Sequence, residues 1–193
     1  MIVKSFAVGW LSTNCYVVGC EETGEAAVID PGMEIEKETE QILDFIKENN
    51  FQIKYIINTH GHPDHVAGNA AIKEATGAPI LIHENATEAV KADKKLRDGD
   101  ALQVGNFKLV VLHTPGHTPD GISLIGENAV FTGDALFAGS IGRTDFVGGS
   151  YDDLIRSIRS KLLCLPDSFT VHPGHGPSTS ISDEKRYNPF LQR

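Results

Sequence analysis

The chain is poor in several things that would point elsewhere. It has only three cysteines, Cys15, Cys20 and Cys164, an odd number with no CxxC spacing. That excludes a disulfide framework or a zinc knuckle, and predicts small buried thiols in a reducing cytoplasm. No apolar run approaches the length of a membrane span, and the opening MIVKSFAVGW lacks a signal-peptide core and reads as a strand. Positive charge is also short: 17 Lys and Arg stand against 26 Asp and Glu, a net charge of −9. An acidic chain of this kind offers no general track for nucleic acid and no face for an anionic membrane. There is no low-complexity linker, and 193 residues suit one domain, 1–193, with a substantial core.

What is plentiful is turn-forming residues and histidine. Nineteen glycines and nine prolines suit many short strands better than a helical bundle. Apolar patterning predicts strands over 1–8, 14–19 and 26–30, then a helix over 34–49 with Ile35, Ile42, Phe45 and Ile46 at helical spacing. A strand over 53–57 follows, then a helix after Pro63 through AGNAAIKEATG that stops at Gly77, with Pro63 placed at its first turn. Further strands are expected at 79–82, 101–104, 107–112, 121–125, 129–132 and 169–172, and helices at 86–92 and 151–163. The class is α/β.

The eight histidines fall mostly at strand ends beside Gly or Pro, where such a scaffold builds its functional site. In IINTHGHPDHVAG an apolar strand ends and His60, His62, Asp64 and His65 follow within eight residues. His60 and His62, at i and i+2, can face one ion from an extended segment. Asp64 and His65 follow a proline-directed turn and face another way. One ion rarely takes four ligands from six consecutive residues, so two neighbouring ions fit the spacing better. Solvated loop histidines are the plain alternative. The recurrence of HTPGH (His117), FTGD (Asp134) and PGHG (His175) favours metal. An imidazole-rich set suits zinc or iron over magnesium or calcium.

Taken in order, THGHPDHVAGN, HTPGHTP, FTGDALFAGSIGRTDF and PGHGP resemble the metallo-β-lactamase fold superfamily, in its glyoxalase II-like branch of small bacterial members. The resemblance implies a four-layer αββα sandwich of two mixed sheets with metals at one edge. It implies His60, His62 and His117 on the first ion, Asp64, His65 and His175 on the second, and Asp134 bridging both. It further implies hydrolysis of a small-molecule thioester such as S-D-lactoylglutathione by a metal-bridging hydroxide, with Asp64 and Asp134 in catalytic roles. Arg143, Trp10 and Leu11 are the expected substrate contacts, though Arg143 has a structural alternative in pairing with Asp145.

Two other implications stand beside this one. GRTDF also resembles persulfide dioxygenases, in which a single iron would be held by His60, His117 and Asp134. A non-catalytic binding module stabilised by metal is the third reading, against which stands the lack of cysteine ligands typical of structural zinc. A lactamase is disfavoured by the glyoxalase-like segments. The larger glyoxalase II enzymes carry a C-terminal helical domain with basic residues for glutathione; Lys185 and Arg186 are the candidate substitutes here. His83, His113 and His172 are expected to pack or hydrogen-bond, with His83 near the pocket rim. Asp120 and Ser182 stand where the branch commonly has Gly; Asp120 is expected either to accept a hydrogen bond near His117 or to face solvent. Nothing in the sequence fixes an oligomeric state.

Overall fold

The computed structural model describes residues 1–192. Its first half contributes β1 (Ile2–Val8), β2 (Thr13–Gly19), β3 (Glu25–Ile29), α1 (Glu36–Glu48), β4 (Gln52–Ile57), α2 (Pro63–Val66), α3 (Asn69–Thr76), β5 (Ile80–His83) and β6 (Lys94–Leu96). The second half adds β7 (Ala101–Val104), β8 (Phe107–His113), β9 (Ile122–Gly126), β10 (Ala129–Gly133), β11 (Leu136–Phe137), β12 (Ser140–Ile141) and α4 (Tyr151–Ser157). It closes with β13 (Thr170–Pro173), β14 (Thr179–Ser180) and α5 (Ile181–Tyr187).

Two six-stranded mixed sheets result, in the order β1-β2-β3-β4-β5-β6 and β14-β13-β10-β9-β8-β7. Three apolar layers hold them. Ile29, Ile57, Leu109, Leu124 and Phe131 fill the space between the sheets. Ile42 and Ile46 of α1 and Ile72 of α3 cover the outer face of the first sheet against Val17, Val28 and Ile56. Leu154 of α4 and Ile181 of α5 cover the second against Val130 and Val171. Strands buried on both faces carry continuous apolar runs, such as AAVI in β3 and AVF in β10. The sheet-to-sheet face of β8 alternates instead: Phe107, Leu109 and Val111 are buried while Lys108 is exposed. The αββα sandwich expected from the resemblance is the observed architecture.

Several local expectations change. Residues 86–92 form turns, not a helix: the amides of Ala86 and Val90 close single turns on His83 and Thr87. The chain must extend there to deliver β6, an edge strand parallel to β5. The helix after Pro63 is two helices. Gly68 interrupts it by donating to the Pro31 carbonyl at 2.7 Å, and a Cβ at Gly68 would meet that oxygen at 2.7 Å. The helix at 151–163 is α4 followed by a π-turn over Ile158–Leu162. The β11–β12 hairpin and α5 are additions too short or too polar to announce themselves. Cys15 and Cys20 are buried as expected, but Cys164 is exposed. No helix among the described residues is long and apolar enough to cross a membrane.

Candidate metal centre

Strand ends converge on one edge of the sandwich. β4 delivers His60 to His65, β8 and the loop after it His117, β10 Asp134, and β13 His175. Three sets of potential ligand atoms lie within 4.8 Å of one another: His60, His62 and His117; Asp64, His65 and His175; and His60, His65 and Asp134. All seven residues singled out in the sequence are therefore brought together.

The tautomers of four imidazoles follow from their outer contacts. His117 Nδ1 donates to the Arg143 carbonyl at 2.7 Å, and His175 Nδ1 to the Leu11 carbonyl at 3.2 Å. His65 Nδ1 donates to Asp30 Oδ2 at 2.9 Å. Thr59 Oγ1 gives its proton to Asp30 Oδ2 at 2.6 Å, which leaves its lone pair to accept from His60 Nδ1 at 3.2 Å. In each neutral ring the other nitrogen, Nε2, is the one left to ligate, the arrangement typical of metal-binding histidines.

Those inward nitrogens crowd one another. His62 Nδ1 stands 3.0 Å from both His60 Nε2 and His117 Nε2, and His65 Nε2 lies 3.4 Å from His175 Nε2. Nitrogens this close need a proton or a metal cation between them, and a divalent ion would serve several of them at once. Asp134 adds a second sign. Its Oδ1 is buried without a hydrogen-bond partner, a costly state for a carboxylate that a cation would relieve. The donor set of imidazole and carboxylate fits zinc or iron.

The electrostatics follow the packing. Burial, then the neighbouring histidines, push the pKa of His60 well below its ordinary value, and burial and His117 lower that of His62. Burial opposes the charged form of His65, but Asp30 and Asp134 outweigh it and raise its pKa. Burial likewise opposes Asp64, yet the His175 contact, His65 and the Thr13 hydroxyl, which donates to Oδ2 at 2.9 Å, hold its carboxyl well below the usual range. Asp64 thus stays an anion.

Asp30 was not singled out by its sequence. It is 1% exposed, adopts a left-handed φ of +50°, and takes hydrogen bonds from the Thr59 amide, the Thr59 hydroxyl and His65. Its signal is faint: an aspartate closing an apolar strand ahead of Pro-Gly reads as a turn residue. Asn58 and Asn69 exchange two amide hydrogen bonds, and Asn58 also donates to the His65 carbonyl, tying α2 and α3 to the end of β4.

A cavity of about 680 Å³ opens on the cluster, and Leu11, Arg143 and the apolar side chains Phe137, Ile141 and Phe146 help line it. Trp10 is 77% exposed and is not part of this lining. Arg143 does both things weighed for it: it lines the cavity and also forks onto Asp145 with two 2.7 Å bonds. Lys185 bonds Asp167 at 2.6 Å, and neither it nor Arg186 lines the cavity. His83 is buried and stacked on His113 at 4.0 Å rather than at the rim. His113 Nε2 donates to the Pro119 carbonyl at 2.9 Å, and His172 stacks on Phe131. Asp120 is 6% exposed, so it does not face solvent; its Oδ2 lies beside Gly61 of the ligand loop.

Residues 8–175 match the profile of the metallo-beta-lactamase superfamily. The chain belongs to this family. It is 38% identical over 213 residues to a Haemophilus influenzae protein named hydroxyacylglutathione hydrolase GloC, covering 99% of this chain and 98% of that one. It is 32% identical over 186 residues to the bovine mitochondrial persulfide dioxygenase ETHE1, covering 93% of this chain and 71% of that protein. Among solved structures, the BLEG-1 B3 metallo-beta-lactamase superposes with a TM-score of 0.90 at 33% identity, with both chains covered in full. A di-iron-bound form of TTHA1623 superposes at 0.81 with 34% identity, covering 98% of this chain and 100% of that one. The family is thus shared by hydrolases and a dioxygenase, and the site's own geometry has to carry the finer reading.

Proposed function

We propose that this superfamily member is a binuclear metal hydrolase of small-molecule thioesters. The position of Asp134 carries the reading. Its Oδ2 lies 3.5 Å from His117 Nε2 and 3.6 Å from His175 Nε2, and its Oδ1 3.4 Å from His65 Nε2. One carboxylate therefore reaches members of both ligand sets, as a bridge must. The second set is also closely assembled: Asp64 Oδ2 lies 3.3 Å from His175 Nε2 and 3.5 Å from His65 Nε2. His60, His62 and His117 would hold one divalent ion and Asp64, His65 and His175 the other, zinc or iron in each case.

The bound pair supplies a water acidified towards neutrality and a Lewis acid for the thioester carbonyl. The chain supplies the rest. The Arg143, Leu11 and Asp30 contacts fix the ring planes of His117, His175 and His65. Asp64, anchored by Thr13 and kept ionised, would help hold the second ion and accept a hydrogen bond from a water bound between the ions, orienting it toward the cavity. A thiolate leaves without a strong general acid, so no further protein acid is needed. This chemistry agrees with the name of the GloC relative.

The bovine relative favours one alternative, a persulfide dioxygenase with a single iron on His60, His117 and Asp134. Metal analysis of the purified protein, beside thioester hydrolysis with S-D-lactoylglutathione in the panel and oxygen uptake with glutathione persulfide, tests both. Two ions per chain with thioester turnover is the expected result. One iron per chain with oxygen uptake would overturn it.

A further inference from the structure

The cavity lining mixes two chemistries. Asp64, Asp134 and the histidines supply ligand groups, and Leu11, Pro63, Phe137, Ile141 and Phe146 supply apolar wall beside them. Leu11 and Phe146 are 44% and 45% exposed, an unusual state for large apolar side chains grouped around a cleft unless something covers them. The aromatic rings run from the rim to both ligand sets: Phe146 stands 5.6 Å from the His62 ring and Phe137 stands 6.2 Å from that of His175.

Arg143 is the one Lys or Arg among the described lining residues, and it is engaged on two sides. Its Nε and Nη2 each lie 2.7 Å from Asp145, and its guanidinium carbon stands 4.0 Å over the Phe146 ring. An anionic substrate group brought to Arg143 would have to displace or share Asp145. At about 680 Å³ the space far exceeds a two- or three-carbon acyl group.

Building on the hydrolase reading above, we propose that this cavity selects thioesters carrying a neutral apolar substituent, a medium-length alkyl chain or an aryl ring, over those carrying the charged ends of a peptide thiol. The substituent lies along Phe137, Ile141 and Phe146 with its carbonyl at the ligand groups. Each methylene taken from water onto that wall raises affinity by about fourfold until the wall is filled.

The test separates binding from turnover. Calorimetry on metal-reconstituted protein measures S-alkyl thioethers of N-acetylcysteamine, ethyl to octyl, which are neutral and cannot be hydrolysed. The matching acyl thioesters of N-acetylcysteamine and of glutathione are assayed for kcat/KM. Expected are a Kd that falls about threefold to fourfold per added methylene and a parallel rise in kcat/KM, with both slopes flattened by Phe137→Ala. The wild-type slope stands as a test even if that variant fails to fold. A flat slope, or glutathione thioesters preferred tenfold or more over their N-acetylcysteamine counterparts, would overturn the proposal while leaving thioester hydrolysis intact. Chain-length-dependent thioether binding with no thioester turned over would uphold the apolar selectivity and overturn the hydrolase reading instead.

Discussion

Asp30 and His65 form a buried pair, with His65 Nδ1 2.9 Å from Asp30 Oδ2 and neither side chain more than 2% exposed. The pair fixes the imidazole plane and leaves Nε2 facing Asp64, Asp134 and His175. Asp30→Asn keeps the shape but weakens the orienting contact. Its expected effect is a loss of roughly 10–100-fold in affinity for the second metal ion, with the first site largely retained. Metal titration against a chromophoric chelator reads this directly. Equal loss at both sites would contradict the assignment of His65 to one set.

The same pair sets a pH dependence in the metal-free protein. Because Asp30 and Asp134 raise the pKa of His65 in the fold, the protonated ring is bound more favourably there than in the unfolded chain. That stabilisation is fully present below the unfolded value of about 6.5 and is lost as pH rises through the raised folded value. Thermal unfolding of chelator-treated protein should therefore show a contribution that fades on the alkaline side of neutrality, and Asp30→Asn should shrink it, with the Asp134 share remaining. Metal at the second site must displace that proton, so uptake there strengthens as pH rises over the same range.

Gly174 sits where a side chain cannot. A Cβ there would stand 2.2 Å from Asp134 Oδ1 and 2.8 Å from His65 Cε1. Gly174→Ala should push the Asp134 carboxylate aside while the two sheets still assemble. The expected outcome is on the order of 10²-fold loss of kcat, the cost of misplacing a reactive group by about 1 Å. Near-normal circular dichroism with reduced metal content would accompany it; full metal content and full activity would argue against a bridging role.

Asp145 holds the cavity's arginine. Asp145→Asn releases the Arg143 guanidinium, which can then meet an anionic substrate group. The KM for acyl-glutathione thioesters is expected to fall by roughly three- to tenfold, the worth of an added charge-assisted contact at an exposed position. The values for neutral N-acetylcysteamine thioesters should change little. A uniform effect on both series would mean that Asp145 acts on the loop's shape rather than on charge.

Much of this was legible in the chain because it lies in short strands with loops of unusual composition. His60, His62, Asp64, His65, His117, Asp134 and His175 stand beside strand ends, and strand ends on one edge of a sheet must meet. Strands such as β2, β3 and β10 were legible because burial on both faces leaves apolar runs, whereas the short β6, β11, β12 and β14 were not. What could not be read were the residues whose importance is geometric. Asp30 looks like a turn aspartate until His65, thirty-five positions on, is folded against it. Gly68 divides a helix only because Pro31 presents a carbonyl to it. Residues 86–92 have helical composition, but β5 offers an open edge and the chain extends to reach it. Trp10, the most conspicuous residue of its loop, points to solvent, and its modest neighbour Leu11 lines the cavity and holds His175 through its carbonyl.

The segment from Gly142 to Ser150 has two duties carried by different atoms. The main-chain oxygen of Arg143 steadies His117, while the side chains of Arg143 and Phe146 shape the cavity wall. The Ser150 amide pins the far end of the segment to the Gly116 carbonyl, one residue before His117. Changes of side chain at 143 or 146 can thus retune what the protein accepts without disturbing the ligand they flank. Insertion or deletion cannot, since altering the span would drag the oxygen off His117. Diversification of this family member is therefore expected by replacement within a loop of fixed length, which makes 143 and 146 the positions to randomise in a library and the residue count between 142 and 150 the thing to leave alone.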